Sequence, residues 1–258
     1  PYVLGISGGA SLGVALAVAA SAGSAVGVFA SGLSIAGRAG TVVAAATGAG
    51  TVMGAVLLLS HWARSGVTLL IIGVMIGSLS TALVSLILTL IDPARTQQFV
   101  IWGLGSFSAV TVGDLSIFTP VVVAGLAVAL AVVKPLNALL VGEDYARSLG
   151  VRVRRTRLVV LVSASLLAGA VTAFCGPIAF LGMAVPHLAR LAVGTSDHRV
   201  LMPTALLTGA TVALVCSLAA NLPGSSPVPV NVITSVVGAP VVIAVLLRSR
   251  RLAAGAVT

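Results

Sequence analysis

Ser7 and His187 could form a serine nucleophile and its general base. Ser7 lies within GISG, residues 5–8, and a serine nucleophile needs such a base to take its proton. That pair would make the chain an intramembrane serine protease. However, serine, glycine and alanine are so frequent here that a GxSG segment is expected by chance, and His187 stands beside Arg190 near the expected end of a helix. A face of small residues for helix packing is the preferred interpretation of Ser7.

The sequence contains no grouped metal ligands and no phosphate-binding loop. Its three histidines are scattered, and the five acidic residues do not group with them. A GxxxxGK[ST] motif is absent, so any ATP that drives this protein must be hydrolysed by another chain. An ion-coupled secondary carrier usually needs an ionisable group at mid-membrane, whereas the acids here lie in loops or at helix ends. The chain is therefore expected to bind no cofactor or metal itself, and the carrier is the weaker alternative.

The composition is that of an integral membrane protein. Hydrophobic residues make up 59% of the 258 residues and charged residues only 7%, with a mean hydropathy of +1.20, whereas a globular chain carries about 25% charged residues. The apolar segments approach the ~20 residues that a helix needs to cross a bilayer. The fold class predicted is an all-α, polytopic transmembrane bundle, a single domain over residues 1–258. The net charge of +9 is attributed to membrane orientation rather than to a nucleic-acid partner.

Eight membrane spans are predicted from the apolar segments. A short mixed segment, Ala94–Leu104, is expected to lie at the membrane surface or to dip into it. Glycines recur at four-residue spacing in the first two spans, which allows helix backbones to approach closely in lipid; they are Gly5, Gly9 and Gly13, then Gly50 and Gly54. The spans are Val3–Phe29, Thr41–Trp62, Val67–Ile91, Leu115–Val133, Leu158–Phe174, Ile178–Val193, Val200–Leu222 and Val230–Leu247.

The one long polar break in the sequence is residues 136–157. Glu143 and Asp144 suit the first turn of a helix, where the helix dipole is positive, and Gly150 suits its end. A short helix is predicted over Glu143–Leu149, and a second over Leu136–Leu140. Two such helices would form a rigid cytoplasmic projection. A solvated loop whose arginines only set the topology remains an open alternative.

The basic residues predict the orientation of the chain. With residues 136–157 in the cytoplasm, the alternation of eight spans places twelve of the fourteen basic residues on that side. Arg38 and Arg95 alone fall outside. Because basic residues gather in cytoplasmic loops, this split supports eight spans and predicts a cytoplasmic C-terminus.

The most distinctive stretch is GPIAFLGMAVPHLARL, residues 176–191, which includes His187 and Arg190. It resembles the signature of the FecCD family, the membrane subunits of ABC importers for ferric siderophores, haem and vitamin B12. Residues 1–13 resemble the segment after the family's second helix, and residues 136–151 its cytoplasmic coupling loop. SDHRVLMP and VITSVVGAPVV, which begin at Ser196 and Val232, resemble its last two helices. The matches lie in register along essentially the whole chain.

The resemblance implies a bacterial cytoplasmic-membrane importer built from two permease subunits. A homodimer is expected, with a heterodimer as the alternative, above a cytoplasmic ATPase dimer that uses ATP and below an extracytoplasmic substrate-binding protein. Ferric siderophore is the first expected substrate, ahead of haem and cobalamin. The residues expected to contact the ATPase are Leu136, Asn137, Gly142, Glu143, Ala146, Arg147 and Gly150. Those expected in helix packing or along the path are Gly5, Ser7, Gly8, Gly9, Gly13, Gly176, Pro177, Gly182 and Pro186.

The chain departs from the family pattern at two places. Family members have ten spans, and the chain begins where the third would begin, so its first two helices are expected to be missing. The acidic residue and arginine usual near the end of the ninth helix are absent from Cys216–Asn221, and the glutamate before the last helix is absent from Ser225–Asn231. These outer-face charges would help to dock a binding protein.

Overall fold

The computed structural model of the chain describes residues 5–20, 35–60, 66–222, 228–236 and 238–240. Over these ranges the chain is helical and contains no β-strand, so the all-α prediction is confirmed. A single 3-10 turn occupies Phe107–Ala109, and further helical residues lie at 230–236 and 238–240. The helices are α1 (Ile6–Ala20), α2 (Ile35–Ser60), α3 (Gly66–Leu90), α4 (Pro93–Gly103), α5 (Leu115–Ala131), α6 (Val133–Val141), α7 (Glu143–Ser148), α8 (Val153–Cys175), α9 (Leu181–Val193) and α10 (His198–Asn221).

Four of the described helices are long and apolar enough to cross a membrane. They are α2, α3, α8 and α10, and the count becomes five if α5 and α6 form one bent span. α9 has 13 residues, which corresponds to about 20 Å of helix and falls short of ~30 Å of hydrocarbon. The predicted spans Val3–Phe29 and Val230–Leu247 both extend outside the described residues. The figure of eight spans therefore stays a prediction.

The polar break at residues 136–157 is more helical than the sequence indicates. The fifth span was predicted to begin at Leu158, but α8 begins at Val153, so that Arg154, Arg155 and Arg157 belong to its first turns. Arginine is a good helix former, and its long side chain can carry its charge beyond the apolar surface of a helix. A run of arginines is thus a poor marker of a loop, and the two short helices of this region occupy residues 133–148.

The second of the predicted short helices is also longer than expected. α6 begins at Val133 rather than Leu136, and it includes Lys134 and Pro135 in its first turn. Proline is tolerated there because the first amides of a helix have no intrahelical partner. The Lys-Pro pair was predicted to close the preceding span, whereas it opens α6.

The chain divides into two compact units. Unit 1 comprises Pro1–Ala131 and Arg154–Pro177. Its centre is α1, which contacts α2, α3 and α4, and a helix that is apolar on all sides is suited to burial. α4 contributes Phe99 to the core beside α1. The buried core residues are Ile6, Ala10, Val14, Ala15, Val18, Ala45, Ala49, Val84, Phe99 and Ala173.

Unit 2 comprises Val132–Val153 and Ile178–Thr258. Within it α9 packs along α10, and α6 contacts both α7 and α10. Asp197 is the N-cap residue of α10, and its carboxylate accepts a hydrogen bond from the backbone N–H of Arg199. The segment that contains α6 and α7 is therefore held by the start of α10.

Candidate functional site

Gly142 joins α6 to α7: it is the C-cap residue of α6 and the N-cap residue of α7. Its backbone has φ 134° and ψ 155°, a conformation that side-chain-bearing residues rarely adopt. A Cβ atom at Gly142 would meet no other atom within 4 Å, so conformation rather than lack of space requires the glycine. The helices predicted over Leu136–Leu140 and Glu143–Leu149 are both present, and they are divided at this residue.

The end of α7 is closed by a Schellman motif. Gly150 has φ 81°; its backbone N–H donates to the carbonyl of Arg147 at 2.9 Å, and the N–H of Val151 donates to the carbonyl of Ala146 at 3.0 Å. These two bonds satisfy carbonyls that a helix end would otherwise leave free. The predicted stop at Gly150 is confirmed. Residues 133–150, here called the α6–α7 segment, thus have defined ends and a defined turn.

Arg147 forms ion pairs with two acidic residues of α7. It lies 3.2 Å from Glu143 and 3.0 Å from Asp144, and all three side chains are exposed. Exposed pairs of this spacing each stabilise a helix by about 0.3–0.5 kcal/mol. The pairs steady α7, while the exposed charges remain available to a partner.

The α6–α7 segment carries an exposed apolar surface. Leu140, Val141, Tyr145 and Leu149 are 51%, 68%, 52% and 60% exposed. Tyr145 and Leu149 are four residues apart at the end of α7 and therefore lie on one side of it. Exposed apolar side chains that lie together often mark a protein contact. Tyr145 and Leu149 lie within the segment that resembles the coupling loop, although neither is among the individual residues predicted to contact the ATPase.

Ala146 lies in a different environment from its neighbours. It is 0% exposed, so it cannot touch a partner chain directly while α7 is seated. The role predicted for Ala146 in ATPase coupling stays a prediction, and with its side chain buried the residue would act through the packing of α7. Alternation of buried and exposed residues along a helix of six residues is difficult to assign from sequence, because a single turn has no reliable apolar periodicity.

Asn137 connects α6 to the start of α10 across 60 residues of sequence. Its Nδ2 donates to Asp197 Oδ1 at 2.5 Å. Its Oδ1 accepts from the backbone N–H of His198 at 2.8 Å and lies 2.8 Å from His198 Nδ1. All these residues are partly buried. Both ends of the Asn137 amide are used, so the side chain has one satisfied orientation.

The pKa of Asp197 is lowered by these contacts. The largest cause is the hydrogen bond from the backbone N–H of Arg199, followed by the hydrogen bond from the Asn137 amide. Both favour the charged form of the carboxylate. The charged Asp197 side chain therefore stabilises the folded protein at pH values above the ordinary pKa of an aspartate. This stabilisation is lost as the pH falls through the lower pKa that Asp197 has in the folded protein. The contacts of Asp197 are thus intact across neutral and mildly acidic pH.

Small residues of α1 allow it to approach two other helices closely. A Cβ atom at Gly5 would lie 2.8 Å from the carbonyl oxygen of Gly73, and one at Gly9 would lie 2.7 Å from that of Gly48. A Cβ at Gly13 would overlap the carbonyl group of Ala44. α1 is therefore packed against α3 at its beginning and against α2 further along.

The glycines of α2 have different roles from those expected. Gly48 is the residue against which Gly9 and Gly13 pack, whereas a Cβ at Gly50 or Gly54 would meet nothing within 4 Å. The four-residue spacing of Gly50 and Gly54 had suggested that they form the contact. Sequence spacing identifies a shared helix face but not which face meets a neighbour, and the choice of Gly48 was missed for that reason.

The GPIAF stretch forms the connection between α8 and α9. Gly176 has φ 77°, and a Cβ there would lie 2.5 Å from the carbonyl oxygen of Trp102, so both conformation and space require glycine. Further on, the backbone N–H of Ala179 donates to Asn231 Oδ1 at 3.1 Å. Phe180 has a positive φ of 64°. It packs closely against Gly238, where an added Cβ atom would lie 2.7 Å from the Cβ of Phe180. Two of the stretches that carried the family resemblance thus meet in unit 2.

The remaining signature residues lie along α9. Gly182 and Pro186 are exposed, and a Cβ at Gly182 would meet nothing within 4 Å. His187 is half-buried, and Arg190 is exposed in the last turn. Pro177 is partly buried immediately before unit 2 begins. Among the described residues no group of three or more His, Cys, Asp or Glu side chains could hold a metal ion.

Replacement of Ser7 by alanine is expected to leave the protein stable, whereas Gly9→Leu is expected to destabilise it. Ser7 is partly buried on α1, and Ala is the best helix former. At Gly9 even a Cβ would lie 2.5 Å from Val52 Cγ2, and overpacking of this kind costs about 1–3 kcal/mol. The measurement is the unfolding temperature of the purified protein in detergent. Destabilisation by Ser7→Ala together with tolerance of Gly9→Leu would contradict the packing role.

Comparison with known proteins gives concordant matches. The model of the FecCD transport family matches residues 1–248. The hemin transport system permease protein HmuU of Yersinia pestis is 34% identical over 199 residues, which cover 76% of this chain and 59% of HmuU. The cobalamin import system permease protein BtuC of Halobacterium salinarum is 38% identical over 72% of this chain and 50% of BtuC. The ferric enterobactin transport system permease protein FepD of Escherichia coli is 36% identical over 72% of this chain and 55% of FepD.

A solved structure shares the fold over 96% of this chain. It is described as "An inward-facing conformation of a putative metal-chelate type ABC transporter", with a TM-score of 0.84 and 26% identity over 96% of this chain and 75% of that chain. The chain spans half to about three fifths of the length of the three curated relatives. These comparisons give no support to an ion-coupled carrier or to a serine protease.

Proposed function

The chain belongs to the FecCD transport family, and from that premise we propose that it is a permease subunit of an ABC importer. The observation that supports this proposal most directly is the structure of the α6–α7 segment. It is a pair of short helices with a defined turn at Gly142 and a closed end at Gly150, and it carries an exposed apolar surface and exposed charges. Such a segment suits a mechanical link to another protein, and the sequence has no nucleotide-binding loop of its own.

The proposed source of energy is ATP bound by a separate cytoplasmic ATPase dimer. The α6–α7 segment would seat on that dimer through Tyr145, Leu149 and the neighbouring apolar residues, with Glu143 and Arg147 at the rim. Apolar and aromatic residues at the centre of an interface, surrounded by polar ones, are the usual arrangement of a protein contact. The chain itself is proposed to bind no cofactor.

The proposed substrate is a ferric siderophore, with haem and cobalamin as the next candidates. Support comes from the relatives, which include a ferric enterobactin permease, a hemin permease and cobalamin permeases, and from the metal-chelate transporter whose fold matches. The names of these relatives refer to the transport of hemin, the import of cobalamin and the transport of ferric enterobactin, and the description of the solved structure refers to a metal-chelate ABC transporter.

The proposed assembly is a multi-pass permease in the bacterial cytoplasmic membrane, paired with a second permease subunit. A homodimer is proposed, and an extracytoplasmic binding protein would deliver the substrate. The C-terminus is proposed to be cytoplasmic because twelve of the fourteen basic residues then lie on the side that basic residues favour. The whole chain is proposed to act as one membrane domain.

Uptake into proteoliposomes tests the proposed function. The permease is reconstituted with the ATPase and binding protein of its own transporter, with ATP at the ATPase side, and is offered radiolabelled catecholate and hydroxamate ferric siderophores, haemin and cyanocobalamin. ATP-dependent accumulation of a ferric siderophore is expected to exceed that of the other two. Preferential uptake of haemin or cyanocobalamin would reassign the substrate. Accumulation without the ATPase would contradict an ABC importer.

A further inference from the structure

The polar contacts between α6 and the start of α10 form a connected set. Asn137 in α6 donates to the carboxylate of Asp197 and accepts from the backbone of His198. The same Asp197 oxygen accepts from the backbone N–H of Arg199, which caps α10. Asp197 N–H in turn donates to Thr195 Oγ1 at 3.1 Å. One carboxylate therefore both caps α10 and holds α6.

Only one orientation of the Asn137 amide satisfies these hydrogen bonds. If the amide were reversed, its NH₂ group would face the backbone N–H of His198, and its oxygen would face the Asp197 carboxylate. Two donors would then oppose each other, as would two acceptors. In the observed orientation Asn137 Oδ1 is an acceptor, so His198 Nδ1, 2.8 Å away, must carry a hydrogen. The histidine tautomer follows from the position of the asparagine.

These contacts are the polar part of the attachment of α6 to α10. Asn137 is in the middle of α6, whose residues 133–141 lead directly through Gly142 into α7. α10 is one of the helices long enough to cross a membrane. A displacement of α6 relative to α10 would break the bonds of Asn137 to Asp197 and to His198 together, because one side chain makes them all.

We propose that Asn137, Asp197 and His198 form a clamp that makes the α6–α7 segment and the start of α10 move as one body. A displacement imposed on the segment by the ATPase would then reach α10 through the clamp. Asn137 and Asp197 are positioning residues in this proposal: they contact neither nucleotide nor substrate. The inference rests on the proposed function, since it assumes that the α6–α7 segment receives the movement of the ATPase.

The test exchanges the side chains of Asn137 and Asp197. Asn137→Asp places a second carboxylate against Asp197 and removes the donor between them, whereas Asn137→Asp with Asp197→Asn restores one amide and one carboxylate. Asparagine is as good an N-cap residue as aspartate. Because one Asp197 oxygen both accepts from Asn137 and caps α10, the asparagine side chain at position 197 of the exchange variant must divide these tasks: its oxygen accepts from the N–H of Arg199, and its NH₂ group donates to residue 137. Ser196→Asp is the matched control, because Ser196 is exposed in the same turn and the variant adds the same charge without entering the clamp.

Three quantities are measured on the assembled transporter. They are the amount of ATPase that co-purifies, the basal rate of ATP hydrolysis, and the stimulation of hydrolysis by substrate-loaded binding protein. Asn137→Asp is expected to retain the ATPase but to lower the stimulation about tenfold, the ratio that corresponds to ~1.4 kcal/mol. The exchange variant is expected to recover about half or more of the lost stimulation, and Ser196→Asp to behave as the unmodified protein.

Other outcomes would overturn the clamp. Normal stimulation in Asn137→Asp would show that α10 needs no such link, and failure of the exchange to restore stimulation would show that the pair does not act together. Loss of bound ATPase, with normal stimulation of what remains, would reduce Asn137 to a role in folding. Failure of the proposed function is seen separately, because no ATPase would then co-purify with the unmodified permease.

Discussion

Truncation of Tyr145 and Leu149 to alanine is expected to weaken binding of the ATPase subunit by about 30-fold or more. Both side chains are more than half exposed and lie on one side of α7. Tyrosine is enriched among the residues that dominate interfaces, where truncation costs ~2 kcal/mol or more, and this energy corresponds to the stated ratio. The measurement is the affinity of purified ATPase for the permease in lipid nanodiscs.

The matched control for this variant is Leu207→Ala. Leu207 is also a well exposed apolar residue, and it lies on α10, so its truncation removes similar surface outside the α6–α7 segment. ATPase affinity is expected to be unchanged by it. Unaltered affinity in the Tyr145→Ala, Leu149→Ala variant would remove this surface from the interface and leave residues 133–150 as a signal of topology.

Gly48→Ala is expected to destabilise the protein by about 3 kcal/mol, the upper end of the usual cost of overpacking. A Cβ at Gly48 would overlap the carbonyl oxygen of Gly9 and would lie 2.8 Å from Gly13 Cα. These atoms belong to the backbone of α1, so they cannot rotate away as a side chain can. α1 would have to move from its place at the centre of unit 1.

Gly50→Ala is the matched comparison, and it is expected not to lower the free energy of unfolding. Gly50 lies two residues further along α2, and a Cβ there would meet nothing within 4 Å. Alanine is favoured over glycine in a helix by about 1 kcal/mol, so this variant is expected to be at least as stable as the unmodified protein. Unfolding free energies of both variants are measured by denaturant titration in mixed micelles. Equal effects at Gly48 and Gly50 would contradict the packing of α1 on α2.

Local features of the chain were predicted well because they depend on neighbouring residues. The helix break at Gly142 and the helix end at Gly150 follow from the conformations that glycine alone accepts readily. The ion pair of Glu143 and Arg147 follows from their four-residue spacing on one helix. α8 begins at Val153, five residues before the predicted Leu158, because arginine favours helix and a run of arginines therefore does not mark a loop.

The sequence by itself determined the membrane character, the all-helical class, the family and the two short helices of residues 133–148. All of these rest on composition, on the length of apolar segments or on motifs that are contiguous in the chain. The tertiary structure alone decided that Gly48 rather than Gly50 receives α1, that Ala146 is buried beside exposed Tyr145, and that Asn137 meets Asp197 across 60 residues. Each of these depends on the rotation of one helix about its axis and its register against another. That arrangement is set by the close packing of many side chains at once, and no single segment of the sequence contains it.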